Sequence, residues 1–265
     1  MGSHLLIDTD SCIGCGLCRQ VCIRDNIGIS GGKAIELCSD RCFDCGHCMA
    51  VCPKGAVSLI RYPDVSSESV PLPTGSADPG SLMSLLSDRR SMRWFTGEPV
   101  TDEEFDRLME AASLSPTAQN AMDVEFAIVD GRLDEFLTLL ADILEPLSDE
   151  FPRIGQFVDH MRSGDRSGPN PFLWEGRQVI LAFSEEPVNG VIAMSRVELM
   201  AQAMGLGGFY SLWMSKADLQ DHGRFMSFFP DVDPAKRLGA VFVIGHPRIR
   251  YRRMAPRPEV RVHRL

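Results

Sequence analysis

The arrangement of cysteines constrains this chain more than any other feature of its sequence. Eight of the nine cysteines fall in two runs with the same spacing, C-x2-C-x2-C-x3-C, and the second run is followed by Pro53. The runs consist of Cys12, Cys15, Cys18 and Cys22, and of Cys42, Cys45, Cys48 and Cys52. Three thiolates with this spacing bind one [4Fe–4S] cluster, and the fourth thiolate binds the neighbouring cluster. The spacing therefore predicts one cluster on Cys12, Cys15, Cys18 and Cys52, and another on Cys42, Cys45, Cys48 and Cys22.

A disulfide framework and a pair of zinc sites are the alternatives to this interpretation. A zinc ion needs only four ligands and does not require the doubled run, so iron–sulfur clusters are favoured. Residues 5–61 resemble the two-cluster bacterial ferredoxins in this pattern. The ninth cysteine, Cys38, lies outside both runs. We expect it to be a small buried hydrophobic residue rather than a ligand.

Charge is distributed unevenly along the chain. The net charge is −9, yet residues 246–265 contain seven arginines and one glutamate, a local charge of +6, so the other 245 residues carry −15. A mostly acidic surface would repel a polyanion, which argues against nucleic acid as a partner. The longest apolar segment, Val191–Met214, is interrupted by Arg196 and Glu198, so no membrane span is predicted. The first residues do not form a signal-peptide pattern, and thiol ligands need a reducing compartment, so we expect a cytoplasmic protein.

A change in composition predicts two domains. Residues 62–80 are rich in proline and serine, which favours a linker. We therefore predict a two-cluster ferredoxin-like domain at 1–61, a linker at 62–80 and a second domain at 81–265. In the second domain, apolar residues at helical spacing alternate with short strand patterns, and too few β-α-β units occur for a doubly wound sheet. The fold class predicted is α+β.

Several elements of the second domain are predicted individually. Thr101 and Glu104 form a capping-box pattern at the start of a helix. Strands are expected at 124–129, 179–183 and 240–244, and helices at 133–144, 191–204 and 217–228. Phe151–Arg177 is rich in glycine, proline and arginine, which favours a long loop or lid.

A second chemical motif follows the linker. It consists of Arg89, Arg90, Ser91 and Arg93. Three guanidinium groups and a hydroxyl can bind a phosphate through charge-assisted hydrogen bonds. Taken alone, such a cluster is more typical of a solvated surface.

Four motifs in order give the cluster a more specific interpretation. Arg-Arg-Ser-Met-Arg-Trp-Phe at 89–95 is followed by Ser-Pro-Thr-Ala-Gln-Asn at 115–120, Gly-Leu-Gly-Gly at 205–208 and Gly-His-Pro at 245–247. Over about residues 81–265 this order resembles the nitroreductase family of FMN-dependent oxidoreductases. The resemblance implies a central, mainly antiparallel sheet wrapped by helices, and an intertwined homodimer with two FMN sites at its interface.

The resemblance also implies roles for individual residues. The FMN phosphate and ribityl chain would be held by Arg89, Arg90, Ser91 and Arg93. The residues that approach the flavin from the partner subunit would be Pro116, Thr117 and Asn120. Gly207 and Gly208 would lie near the redox face of the ring, and Arg253 or Arg257 would complete the phosphate site. No catalytic residue is assigned. Met122-Asp123 and Gly176-Arg177-Gln178 depart from the family pattern, which leaves the substrate open.

Together the two domains predict an iron–sulfur flavoprotein. Electrons from a low-potential donor, such as reduced ferredoxin, would cross two [4Fe–4S] clusters to FMN, which would reduce a nitroaromatic, quinone or enone. One alternative is an electron-transfer protein that serves a partner enzyme. The other is a specialised flavin enzyme, a dehalogenase or dehydrogenase, on the same scaffold.

Overall fold

Two compact units divide the chain in the computed structural model, which describes residues 3–63, 65, 78–164 and 167–265. The first unit contains the described residues up to position 65 together with Gln119–Ala121, and the second contains residues 78–118 and 122–265. Most of the predicted linker at 62–80 lies outside the described residues. The predicted domain boundaries therefore stay a prediction.

The first unit contains two antiparallel strand pairs and two short helices. Its strands are β1 (Leu5–Ile7), β2 (Ile27–Ser30), β3 (Lys33–Glu36) and β4 (Val57–Leu59). Its helices are α1 (Leu17–Val21) and α2 (His47–Ala50). Strand β1 pairs with β4 and strand β2 pairs with β3. Helix α1 begins between Cys15 and Cys18, and helix α2 begins between Cys45 and Cys48. The backbone therefore changes direction within each run, where the thiols converge.

Gly14 shows why the first cysteine run needs glycine. Its φ is +65°, and a Cβ at this position would lie 2.0 Å from the carbonyl oxygen of Gly32. The apolar core beneath the run is small; Ile27, Ala34 and Val57 are among its buried members. A core of this size stabilises a domain only marginally, so we expect cluster binding to contribute much of its folding free energy.

The second unit is a four-stranded antiparallel sheet between two layers of helices. Its strands are β5 (Glu125–Val129), β6 (Gln178–Ser184), β7 (Gly207–Tyr210) and β8 (Arg237–Gly245). Its helices are α3 (Pro79–Asp88), α4 (Asp102–Ser113), α5 (Leu133–Leu144), α6 (Pro152–Ser163), α7 (Pro187–Ala203), α8 (Leu212–Gln220) and α9 (His222–Met226). The strand order is β5-β6-β8-β7, with every neighbouring pair antiparallel. The predicted α+β class and antiparallel sheet are confirmed.

Alternation along β6 separates the two hydrophobic cores of this unit. Val179 and Leu181 belong to the core that also contains residues of α5, α6, α8 and α9. Ile180 and Ala182 belong to the core that contains residues of α4 and α7. Because successive side chains of a strand point to opposite faces, a strand buried on both sides has a continuous apolar sequence.

Two sequence predictions for this unit were wrong in detail. The predicted loop at 151–177 contains helix α6, because Ile154, Phe157 and Val158 repeat at helical spacing and are buried. The predicted helix at 217–228 is divided between α8 and α9, which are separated at Asp221. The capping box at the start of α4 is confirmed, since both of its hydrogen bonds are present.

Gly208 in β7 has no room for a side chain. A Cβ there would lie 2.3 Å from the carbonyl oxygen of Val243 and 2.5 Å from the ring of Phe242. A backbone carbonyl in a central strand cannot move aside, so Gly208→Ala should lower the free energy of unfolding by about 3 kcal/mol, the upper end of the overpacking range. Gly131→Ala is the control, because nothing lies within 4 Å of a Cβ there. Urea denaturation of both variants measures the difference, and equal midpoints would contradict this prediction.

Candidate functional site

The structure gathers the eight cysteines of the two runs around two separate cavities. One cavity is lined by Cys12, Cys15, Cys18 and Cys52, together with apolar residues such as Leu17 and Val57. The other is lined by Cys22, Cys42, Cys45 and Cys48, with Leu5 and Ile27 among its apolar neighbours. Each cavity therefore combines three thiols of one run with the last thiol of the other. This is the crossed ligand set that the spacing predicts, and four thiols in an apolar setting suit a [4Fe–4S] cluster.

Backbone N–H groups point at several of these sulfur atoms. Ala34 N lies 3.5 Å from Cys12 Sγ and Asn26 N lies 3.3 Å from Cys22 Sγ. Cys42 Sγ and Cys52 Sγ accept from the amides of Asp44 and Ala56 at 3.4 and 3.3 Å. Amide donors stabilise the negative charge of a thiolate, and hydrogen bonds to cluster sulfurs also raise the reduction potential.

The thiols differ in their proton affinity. Burial raises the pKa of Cys48 to about 11, and it raises the pKa of Cys18 and Cys42 in the same direction. Hydrogen bonds from the backbone amides of Ala34 and Gly14 lower the pKa of Cys12. Ligand thiols must lose their protons when iron binds, so the iron charge has to offset the burial of the thiolates.

All nine cysteines are free thiols in the structure, so it contains no disulfide framework. Cys38 is half-buried, and its backbone N–H donates to Asn26 Oδ1 at 2.7 Å. It lines neither thiol cavity. The side chains of His4 and Asp44 form a polar pair beside the second cavity, with His4 Nδ1 2.9 Å from Asp44 Oδ1. The spacing of the cysteines did not predict this pair.

In the second unit, the predicted phosphate-binding cluster is extended rather than helical. Helix α3 ends at Asp88, Ser91 bridges to Gly208, and Met92 N donates to Gly208 O at 2.9 Å. Side chains of an extended segment alternate in direction. Arg90 and Met92 therefore line one cavity, and Ser91 and Arg93 line another.

We call the first of these the arginine cavity. It has a volume of about 360 Å³, and its lining includes Arg90, Gly207, Arg250 and Tyr251. The Arg90 guanidinium donates to the carbonyl oxygens of Ser87 and Arg89 at 3.1 and 2.8 Å. It also donates to the carbonyl oxygen of Arg253 at 3.4 Å. These bonds hold the guanidinium at the cavity wall, where its remaining donors suit an anionic group.

The second is the aromatic cavity. It has a volume of about 700 Å³. Its described lining consists of Ser91, Arg93, Trp94, Arg153, Pro171, Phe172, Trp174, Phe209, Tyr210, Ser211, Leu212, Trp213 and Tyr251. Tyr251 lines both cavities, so they are neighbours. A charged cavity beside an aromatic one suits a ligand that joins a phosphate to a planar ring, which is the chemical make-up of FMN.

Arg89 has a different partner from the other residues of its motif. Its Nη1 donates to Glu198 Oε1 at 2.9 Å, and both side chains are largely buried. Burial, together with the neighbouring Glu198 carboxylate, raises the pKa of Tyr210. Glu198 thus lies next to both Arg89 and Tyr210, and Tyr210 lines the aromatic cavity.

The remaining predicted residues are placed as follows. Gly207 lines the arginine cavity, whereas Gly208 is packed against Val243 and Phe242. Arg253 contributes its carbonyl oxygen to Arg90, and the side chains of Arg253 and Arg257 are exposed. All of these assignments stay predictions for FMN binding.

The motif at 115–120 is not gathered with the arginines. Pro116 and Thr117 line neither cavity, and Thr117 Oγ1 accepts from Met122 N at 3.0 Å. Within the first unit, the Asn120 amide donates to the carbonyl oxygens of Phe43 and Asp44 at 3.1 and 3.3 Å. Gln119, Asn120 and Met122 all have positive φ, a conformation that is uncommon for residues with side chains.

Several lining residues were missed by sequence reasoning. Arg250 was grouped with the basic tail, and Arg153, Trp174 and Trp213 had no assigned role. No spacing rule connects positions 94, 174 and 213, so only long-range packing reveals that these tryptophans converge. The one available signal was their rarity, since the chain contains three tryptophans.

Comparisons with known proteins identify the class of this molecule. A family model described as the nitroreductase family matches residues 86–246, which is more than half of the chain. The chain therefore belongs to the nitroreductase family. A model described as a 4Fe-4S dicluster domain matches residues 5–59. The predicted fusion is thus confirmed, as are the enzyme class, FMN-dependent oxidoreductase, and the cofactors, FMN and [4Fe–4S] clusters.

Solved structures show the same fold. A nitroreductase with bound FMN from Desulfitobacterium hafniense DCB-2 is 16% identical, with a TM-score of 0.53; the match covers 69% of this chain and 98% of that chain. One from Bacteroides fragilis NCTC 9343 is 11% identical, with a TM-score of 0.53 and coverage of 69% and 98%. An FMN-dependent nitroreductase from Clostridium difficile R20291 is 16% identical, with a TM-score of 0.50 and coverage of 71% and 100%. At these identities the likeness concerns the fold alone.

A search of curated proteins found no match to this chain. Among the described residues, no helix has the length and apolar character needed to cross a membrane.

Proposed function

We propose that this protein carries electrons from a low-potential donor, such as reduced ferredoxin, through two [4Fe–4S] clusters to FMN, for the reduction of a small electron-poor acceptor of nitroaromatic, quinone or enone type. Iron–sulfur clusters supply single-electron transfer, and FMN supplies both single-electron and hydride chemistry. The observation that carries the proposal is the presence, in one chain, of two crossed four-thiol cavities and a flavoenzyme unit with paired charged and aromatic cavities.

Different residues of the second unit bind different parts of FMN. Arg90 and Arg250 bind the phosphate in the arginine cavity, and Ser91 and Arg93 orient the ribityl chain and ring from the neighbouring aromatic cavity. Arg89 acts indirectly, because its ion pair with Glu198 supports Tyr210 at the wall of that cavity.

A homodimer completes the proposed flavin site. The residues that would approach the flavin from the partner subunit are Pro116, Thr117 and Asn120, as in the family resemblance. Cluster thiolates need a reducing environment, which supports a location in the cytoplasm.

The aromatic cavity favours a small acceptor over delivery of electrons to a partner enzyme. Its walls are mostly aromatic, so the flavin ring and a flat acceptor can stack together within its volume of about 700 Å³. Such walls hold a flat acceptor by stacking, which positions it for reduction.

An anaerobic assay with reduced ferredoxin tests the electron route. In the wild-type holoprotein, reduced ferredoxin should bleach the flavin absorbance, and a nitroaromatic should restore it. A variant with serine at all eight cluster positions should bind FMN but show only the background rate with ferredoxin, while dithionite still reduces its flavin. Cys38→Ser is the matched control and should behave as the wild type. Flavin reduction by ferredoxin at the wild-type rate in the eight-serine variant would refute the proposed route.

A further inference from the structure

All three tryptophans of the chain line the aromatic cavity. They come from distant positions: Trp94 follows the arginine motif, Trp174 precedes β6 and Trp213 lies in α8. The rings of Trp94 and Trp174 meet edge to face, with their centroids 5.8 Å apart. A cavity built from such side chains offers large, flat surfaces for stacking against a planar ligand.

The charge of this cavity is opposite to that of the chain. The net charge of the chain is −9, yet no carboxylate occurs among the described residues that line the cavity, whereas Arg93 and Arg153 do line it. Other arginines lie within 3.8 Å of a carboxylate oxygen, namely Arg89, Arg107, Arg132, Arg162, Arg224 and Arg248. In the described part of the chain, neither Arg93 nor Arg153 has such an ion pair. Two unneutralised guanidinium groups therefore face an aromatic cavity.

Arg153 and Trp174 form a unit. The Arg153 guanidinium lies 5.1 Å from the centroid of the Trp174 ring and donates to Gln156 Oε1 at 3.2 Å. These contacts with a ring and a neutral amide orient the guanidinium without neutralising its charge. Arg93 lies 5.8 Å from the same ring.

The backbone around Trp174 holds its ring in a fixed position at the cavity. Trp174 has a φ of +57°, a left-handed conformation that is uncommon for bulky residues. Asn170 holds this turn: its backbone exchanges two hydrogen bonds with Trp174, at 3.2 and 2.7 Å, and its side chain accepts from the amides of Phe172 and Leu173. Unfavourable backbone conformations of this kind are concentrated at functional sites.

We propose that the aromatic cavity selects a planar aromatic acceptor that carries a carboxylate or a similar anionic substituent. Arg153 binds the anion through charge-assisted hydrogen bonds, and Trp174 stacks on the ring. The inference rests on the proposed function, in which Arg93 belongs to the flavin site and Arg153 is left for the acceptor.

Two probes of the same shape test this selectivity: 4-nitrobenzoate, which is anionic, and 4-nitrobenzamide, which is neutral. Their dissociation constants from the oxidised holoprotein are measured by quenching of tryptophan fluorescence, which requires no turnover. The wild type should bind the benzoate about tenfold or more tightly than the benzamide. Arg153→Gln should abolish that preference and leave benzamide binding within about twofold, and Arg153→Lys should retain part of it.

Arg162→Gln is the control, because Arg162 lies on the same helix, α6, and does not line the cavity. It should leave both constants unchanged. Trp174→Leu should weaken both probes, because both stack on its ring, and should weaken the benzoate more, because the ring also orients Arg153.

The outcomes separate this inference from the proposed function. Equal binding of the two probes by the wild type, or a preference that persists in Arg153→Gln, would overturn the inference. Reduction of 4-nitrobenzamide by the ferredoxin-driven enzyme, without any charge preference in binding, would leave the proposed function intact. A preference that depends on Arg153, without reduction of either compound, would support the subsite and count against the proposed function.

Discussion

A Cys22→Ser/Cys45→Ser double variant should retain about four of the roughly eight iron atoms expected per chain for two [4Fe–4S] clusters. A Cys15→Ser/Cys22→Ser double variant should retain almost none. In the structure, Cys22 and Cys45 line the same cavity, whereas Cys15 lines the other. The first variant therefore damages one cluster and the second damages both. Serine is a poor replacement because iron–sulfur clusters select soft thiolate ligands.

The measurement is iron and acid-labile sulfide per chain after anaerobic reconstitution. Cys38→Ser is the control and should keep the full content, because Cys38 lines neither cavity. If each run bound its own cluster, the two double variants would exchange their results. The test therefore depends on which of the two double variants retains more iron, and not on the exact iron content of either.

Removing both arginines of the arginine cavity should weaken FMN binding by a factor of about a hundred or more. Each hydrogen bond to a charged group contributes about 1.5–3 kcal/mol, which corresponds to roughly 10- to 100-fold in affinity. Arg90 and Arg250 line the same cavity, so their contributions are coupled and the combined loss need not equal the sum of the two single losses. The Arg90→Ala/Arg250→Ala variant is titrated as apoprotein with FMN, and binding is followed by flavin fluorescence.

Riboflavin provides the control for this prediction, because it has the same ring and ribityl chain without the phosphate. Its affinity should change little in the double variant, since in the proposed site the arginines contact only the phosphate. Arg253→Ala/Arg257→Ala is the matched charge control and should bind FMN within a few-fold of the wild type. Arg253 contributes only its backbone carbonyl to Arg90, which alanine retains. The opposite result, with FMN binding lost only in Arg253→Ala/Arg257→Ala, would show that Arg253 and Arg257 bind the phosphate instead.

The two cysteine runs illustrate how much chemistry a local pattern can specify. The spacing of Cys12, Cys15 and Cys18 lets three thiols reach one site along a short backbone path, and the gap before Cys22 directs that thiol elsewhere. The covalent chain carries this information, so the crossed grouping of the eight thiols around two cavities was predictable. The capping box at Thr101 and Glu104 was predictable for the same reason, because its partners are three residues apart.

The arginine motif could be interpreted only in part from the local sequence. Its residue types indicated a phosphate site, but its division between two cavities follows from the pairing of Ser91 and Met92 with Gly208. That pairing joins segments more than a hundred positions apart, and alternation then sends Arg90 to one side and Arg93 to the other. Helix α6 was missed because the prolines, glycines and arginines of residues 151–177 suggested a loop, whereas burial of its apolar face stabilises the helix.

The sequence by itself predicted how the eight cysteines group around two cavities, the family of the second domain and the class of fold, because cysteine spacing and ordered motifs are properties of the covalent chain. Only the tertiary structure decided that Trp94, Trp174 and Trp213 form one cavity, and that Arg153 faces it without a carboxylate partner. The physical reason is that burial and charge pairing depend on which distant segments pack together, and a linear pattern does not record that packing.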